Sequence, residues 1–111
     1  MMNAQTENRV ENLLSMAARA RRIVSGAFVA EETLEKGRGT YLLLAADASE
    51  ETKRKFTNMA ERRNVPYVEL LRAERLGRCL GKEYRAVAVL IDRGFAERLD
   101  AYLHEIPTGV D

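Results

Sequence analysis

The chain has 111 residues, 46% of them hydrophobic, 32% charged and 6% aromatic, which suits one folded domain and leaves no room for a second. Eighteen Lys and Arg against seventeen Asp and Glu give a net charge of +1, which excludes a grossly basic polyanion binder but not a local basic face. No apolar run approaches the ~20 residues of a membrane helix, the start lacks an apolar signal-peptide core, and a lone Cys excludes an internal disulfide, so the chain reads as cytoplasmic; a monomer is expected.

Val10, Leu13, Leu14, Ala17 and Ala18 recur at helical spacing, with Thr6 as the expected cap and Glu7 at the helix start. Arg19, Arg21 and Arg22 follow, then a very short strand at Ile23-Val24 and a turn at Ser25-Gly26. A second helix is expected from Ala27 to Lys36, carrying Phe28, Ala30 and Leu34, with Gly37 and Gly39 ending it. Tyr41 to Ala46 is a continuous apolar run, the mark of a strand buried on both faces. Ser49 caps a third helix whose stripe is Phe56, Met59, Ala60 and Arg63; Asn64 and Pro66 stop it.

Tyr67 to Leu71 is the next strand. A short Arg-rich helix spans 72 to 80, with Leu76 and Leu80 inward and Gly81 at its end. Ala86 to Ile91 is a buried strand, and Asp92-Arg93-Gly94 a turn. Phe95, Leu99, Tyr102, Leu103 and Ile106 form a last helix, closed by Pro107 and Gly109. Helices alternating with short apolar strands predict an α/β domain with a mixed sheet covered on both faces, its core spanning about residues 6 to 106.

Catalysis has little support. Cys79 and His104 are the only Cys and His, on different elements, and cannot fill a structural zinc site; Cys79 reads as a packed small side chain and His104 as exposed. No phosphate-binding glycine loop or nucleophile elbow occurs. Neither a cofactor nor a metal is expected. The acids at Glu31, Glu32 and Glu35 and at Glu50 and Glu51 read as solvated helix faces and first-turn charge.

The basic residues are more suggestive. Fourteen of the eighteen cations are Arg, which suits bidentate phosphate contacts but also follows from a genomic base bias. Residues 72 to 85 carry a net +3 and residues 92 to 111 a net −3, so charge is polarised along the chain. Arg72, Arg75, Arg78 and Lys82 are spaced to share one helical face, with Arg85 just beyond. Arg22 and its neighbours precede the Ser25-Gly26 turn, where a helix N-terminus offers free N–H groups. That is a nucleic-acid footprint, or else solvated surface arginine. Neither cluster reads as interleaved with aromatics, which argues against a stacking platform for single strands.

The order of motifs carries a resemblance. A-R-A-R-R-I-V-S-G (18–26), Y-L-L-L-A-A-D-A-S (41–49), N-V-P-Y-V (64–68), L-G-R-C-L-G-K-E (76–83) and A-V-A-V-L-I-D-R-G-F-A (86–96) together resemble the ribosomal protein L7Ae/L30e family, in particular its small bacterial YlxQ-like branch. The resemblance spans roughly residues 10 to 100. It implies a three-layer α-β-α sandwich and binding to structured RNA, with many members recognising kink-turns. It further implies association with the ribosome, with ribosomal RNA and ribosomal or translation proteins as partners. By the same resemblance the contact surface takes in Ser25, Gly26, Lys53, Leu76, Gly77, Gly81 and the Lys82–Arg85 loop, with Gly77 and Gly81 serving packing first. The chain departs from the family where kink-turn binders follow the turn glycine with x-Asn-Glu-x-x-Lys. Those three positions are Phe28, Val29 and Glu32 here, and the usual A-E-D before the third helix is Ala45-Ala46-Asp47. Phe28 and Val29 either pack inward or form a protein-contact patch on a module that has lost kink-turn recognition.

Overall fold

Asn3 accepts a hydrogen bond from the Thr6 amide at 2.8 Å and so opens the first helix, α1 (Ala4–Arg19). Thr6, the cap expected from sequence, lies inside the first turn; its amide is one of the orphan donors a cap must satisfy. The computed structural model describes residues 3–105. Ile106, Pro107 and Gly109, expected to finish and close the last helix, lie outside the described residues. After α1 the chain runs through β1 (Ile23–Ser25), α2 (Ala27–Glu35), β2 (Tyr41–Leu44), α3 (Glu50–Arg62), β3 (Tyr67–Glu69), α4 (Ala73–Cys79), β4 (Val87–Leu90) and α5 (Arg93–Leu103).

Most boundaries follow local chemistry. Ser49 Oγ accepts from the Thr52 amide at 3.0 Å and caps α3. Asn64 ends it with φ +58°, a left-handed conformation that Asn tolerates better than most residues. Arg63 is the exposed C-cap and not part of the apolar stripe, because α3 stops before a further turn could bury it. The expected turn at 92–94 is instead a helix start. Asp92 Oδ2 accepts from the Phe95 amide at 2.9 Å, and Arg93 and Gly94 form the first turn of α5.

The sheet order is β1-β4-β2-β3, with β4 antiparallel to both neighbours and β2 parallel to β3. The two continuous apolar runs, β2 and β4, are the central strands and are buried at every position. Their side chains alternate between two cores, as the pleat requires. Tyr41, Leu43, Ala88 and Leu90 face Val10, Leu13 and Leu14 of α1, Leu76 of α4 and Leu99 of α5. Leu42, Leu44, Val87 and Val89 face Ala30 and Leu34 of α2 and Phe56, Met59 and Ala60 of α3. Helices therefore cover both faces, giving the three-layer α-β-α sandwich with a mixed four-stranded sheet. Each fully buried Leu or Phe contributes about 1.5–3 kcal/mol. No helix among the described residues is long and apolar enough to cross a membrane.

Candidate nucleic-acid interface

The sheet topology brings four loops to one end of the molecule. Ser25 lies opposite Ala88, and Leu44 lies opposite both Val87 and Glu69. β1, β2 and β3 therefore finish, and β4 starts, at the same edge. The segments that emerge there are Gly26, Ala45–Asp47, Leu70–Arg72 and Tyr84–Ala86.

Gly26 holds φ +99°, which a side-chain-bearing residue rarely adopts. Its amide donates to the Val87 carbonyl at 3.0 Å, and its carbonyl accepts from the Ala30 amide at 2.9 Å. The turn thus ends β1 and starts α2 within one residue. Nothing lies within 4 Å of where a Cβ would stand, so the backbone is open to close approach from outside.

Arg85 ties the β4 entry to this turn. Its Nε donates to Ser25 Oγ at 3.0 Å and its Nη1 to the Tyr84 carbonyl at 2.7 Å. The loop before it rests directly on α4. A Cβ on Gly77 would come within 2.7 Å of the Glu83 carbonyl oxygen and 2.9 Å of the Tyr84 nitrogen. The Lys82 amide donates to the Gly77 carbonyl at 2.8 Å and the Arg85 amide to the Ala73 carbonyl at 3.1 Å. The Leu76-Gly77…Gly81 spacing is therefore a packing device: Gly77 admits the returning backbone, and Gly81, at φ +75°, turns it.

The expected cationic face of 72–85 divides. Arg75 is turned onto α1, where it binds Glu11 and Glu7. Arg72 lies 3.4 Å from Asp47, which caps α4 by accepting from the Ala73 amide at 2.8 Å. That amide, above all, holds the Asp47 carboxyl below the usual carboxylate range. Among the described residues Arg78 reaches only the exposed Glu74, at 3.9 Å. Lys82 and Arg85 make no ion pair among the described residues. Arg78, Lys82 and Tyr84 line one shallow groove of about 310 Å³, shared with the acids Glu74 and Glu83.

Two further nominated residues are placed apart from the turn or tied up. Lys53 is drawn inward, its Nζ donating to the Ala46 carbonyl at 2.9 Å and lying 3.2 Å from Glu69. Arg22 sits at the other end of β1 from Gly26, where its carbonyl accepts from the Ile91 amide.

Sequence reasoning missed Tyr84, and of the two alternatives it left for Phe28, packed inward or exposed, the structure shows the second. Phe28 is 80% exposed and Tyr84 64% exposed. The sequence sets Phe28 beside Ala30 and Leu34, but α2 buries Ala30, Thr33 and Leu34, and two residues on a helix turn Phe28 about 200° away from Ala30. Tyr84 sits between Glu83 and Arg85 in a turn with no apolar periodicity, a signal of exposure legible in sequence. Aromatics do accompany the second basic cluster. Glu32, at the position where kink-turn binders carry Lys, lies 3.4 Å from Lys36, and Glu31 lies 2.8 Å from Lys55, which offsets their repulsion of an anion.

Cys79 is half-buried, and burial pushes its thiol up to about 11, which leaves little nucleophilic thiolate at neutral pH. His104 is exposed at the end of α5. No group of three His, Cys, Asp or Glu that could hold a metal occurs among the described residues.

The sequence matches the model of the ribosomal protein L7Ae/L30e/S12e/Gadd45 family over residues 8–98. The chain belongs to that family. Among L7Ae/L30e relatives, the RNA-binding protein YlxQ of Bacillus subtilis is 38% identical over 91 residues, covering 82% of this chain and 91% of that protein. A Bacillus halodurans protein of unknown function has a solved structure that superposes with a TM-score of 0.83 at 31% identity, covering 86% of this chain and 97% of the other. The 15.5 kD RNA-binding protein of Giardia lamblia shares the L7Ae/L30e fold at a TM-score of 0.76 and 23% identity, over 92% of this chain and 93% of its own.

Proposed function

We propose that this protein is a non-catalytic, ribosome-associated RNA-binding protein that recognises structured, kink-turn-like RNA. The Gly26 turn approaches the RNA backbone, and the 72–85 segment meets phosphates through Lys82, Arg85 and Arg78. The observation that carries this reading is the join between Ser25-Gly26 and Arg85, where an open glycine backbone is held beside a guanidinium with no carboxylate partner among the described residues. The family, and the description of the YlxQ relative as RNA-binding, support this reading. Ribosomal RNA is the proposed ligand, with ribosomal or translation proteins as neighbours, and the chain acts as a cytoplasmic monomer.

A tightly bent RNA brings phosphates together and exposes base edges at the bend, a shape that a compact protein edge can fit. The side chains of Phe28 and Val29 cannot donate to or accept from the edges of sheared G·A pairs. Recognition therefore rests on shape and charge. The test is a titration with a kink-turn RNA and a straight duplex of equal length at two salt concentrations. The bent RNA binds more tightly, with log K falling by about 0.7–0.9 per phosphate contact for each tenfold rise in salt. Equal, weak binding to both overturns kink-turn recognition.

A second reading is favoured by the exposure of Phe28 and Val29, at 80% and 39%. On that reading the same fold serves as a protein-interaction module, and its binding is insensitive to salt. A Phe28→Ala variant that keeps every protein partner of the wild type rules this out.

A further inference from the structure

We propose that Phe28 and Tyr84 form a stacking platform for unpaired bases beside the Gly26 turn, so that this chain grips extruded nucleotides by their faces and not by their edges. The proposal rests on the RNA-binding reading above and names the part of the RNA that is held.

These are the two most exposed of the large apolar side chains among the described residues. Leaving a Phe in water forgoes the gain of burying it, so its place at the second position of α2 has no explanation in the core. Both rings stand on fixed backbone. Phe28 rides on the first turn of α2, anchored by the two hydrogen bonds of Gly26. Tyr84 is pinned where its backbone meets Gly77 and where its carbonyl accepts from Arg85. Arg85 binds Ser25 and Tyr84 at once, so the two aromatic-bearing segments are joined through one guanidinium. An exposed ring on a held backbone suits base stacking, because less entropy is lost when the base arrives than from a mobile loop.

Charge selects the occupant. Arg85 and Lys82 make no ion pair among the described residues; the groove beside Tyr84 is lined by Arg78 and Lys82 together with Glu74 and Glu83, and the one ion pair there is the long, exposed contact of Arg78 to Glu74. The nearby acids of α2, Glu31 and Glu32, are matched by Lys55 and Lys36. Aromatic faces next to unspent cations fit an unpaired base with its flanking phosphates better than they fit an apolar protein surface.

The test uses the full chain and a kink-turn RNA carrying 2-aminopurine at its extruded position, with the straight duplex as control. Far-UV circular dichroism checks that each variant is folded, which exposed positions favour. The wild type quenches the 2-aminopurine on binding. Phe28→Ala and Tyr84→Ala each weaken binding by at least about 5-fold and remove the quenching, while the salt slope stays unchanged because no charge was deleted. Phe28→Trp binds as wild type, and Phe28→Leu does not. If the wild type binds the RNA and both Ala variants bind equally well, or Leu replaces Phe without loss, the platform is overturned while RNA binding stands. A wild type that binds no RNA even at low salt overturns the RNA reading and this proposal together.

Discussion

Arg75 Nε donates to Glu11 Oε2 at 2.9 Å, across the seam between α4 and α1. The same guanidinium donates from Nη1 to Glu7 Oε1 at 3.2 Å. One Arg thus clamps two carboxylates spaced one helical turn apart. The spacing of Arg72, Arg75, Arg78 and Lys82 placed Arg75 among phosphate ligands, but its donors already face this chain's own acids. Arg75→Ala is expected to lower stability by about 1 kcal/mol, since the clamp is partly exposed and solvent screens it. The salt slope of RNA binding should not change. Urea unfolding beside a binding titration checks both halves; a flatter slope would return Arg75 to the RNA surface.

Lys82 and Arg85 should behave in the opposite way. Lys82→Ala leaves the urea midpoint within error, because its side chain makes no ion pair among the described residues. It flattens the salt dependence of binding by about 0.7–0.9. Arg85→Ala flattens the slope similarly and also frees Ser25, so its affinity loss is the larger. An unchanged slope in both variants would move the phosphate contacts elsewhere.

Gly77→Ala tests the packing under the loop. Its new methyl would meet the Glu83 carbonyl oxygen at 2.7 Å, and backbone there cannot swing aside as a side chain could. The expected cost is about 1–3 kcal/mol. Hydrogen exchange should speed up at the Lys82 and Arg85 amides, which bond to α4. Wild-type stability in this variant would show that the loop yields freely.

Tyr41 lies at the other end of the sheet and gives a pH signature. Its hydroxyl donates to Asp100 Oδ1 at 3.1 Å. Burial first, and then this carboxylate, push the phenol up to about 12, against about 10 in an unfolded chain. The unfolded state therefore releases its proton first. The contribution to stability is complete below about pH 10 and is lost as pH rises towards 12. Wild type should lose on the order of 2 kcal/mol more than Tyr41→Phe across that window, measured by denaturant unfolding. Equal losses would mean the phenol ionises as freely in the fold as in water.

The elements of the fold were largely legible in the chain. Tyr41–Leu44 and Val87–Leu90 are apolar without interruption because the central strands are covered on both faces. Ser49 and Asn64 mark the ends of α3 through their own hydrogen bonding and backbone tolerance. Asp92 is harder, since an Asp two residues before Gly94 suits a turn as well as a helix cap. Only the bond from the Phe95 amide decides between them.

Local chemistry, then, determined which residues become helix and strand, and the order of motifs pointed to the family. Burial patterns and caps act over a few residues, so they survive in a linear reading. The site needed the tertiary structure. Arg22 and Gly26 are four residues apart yet sit at opposite ends of a strand, while Ser25 and Arg85 are in contact. Lys53 and Arg75 are spent on carboxylates that the sequence keeps far away: Lys53 on Glu69, Arg75 on Glu7 and Glu11. A cation's availability depends on which acids the fold brings within a few ångströms, and the exposure of Phe28 depends on which side of α2 meets the sheet. Both are properties of packing in three dimensions, which residue type and spacing do not contain.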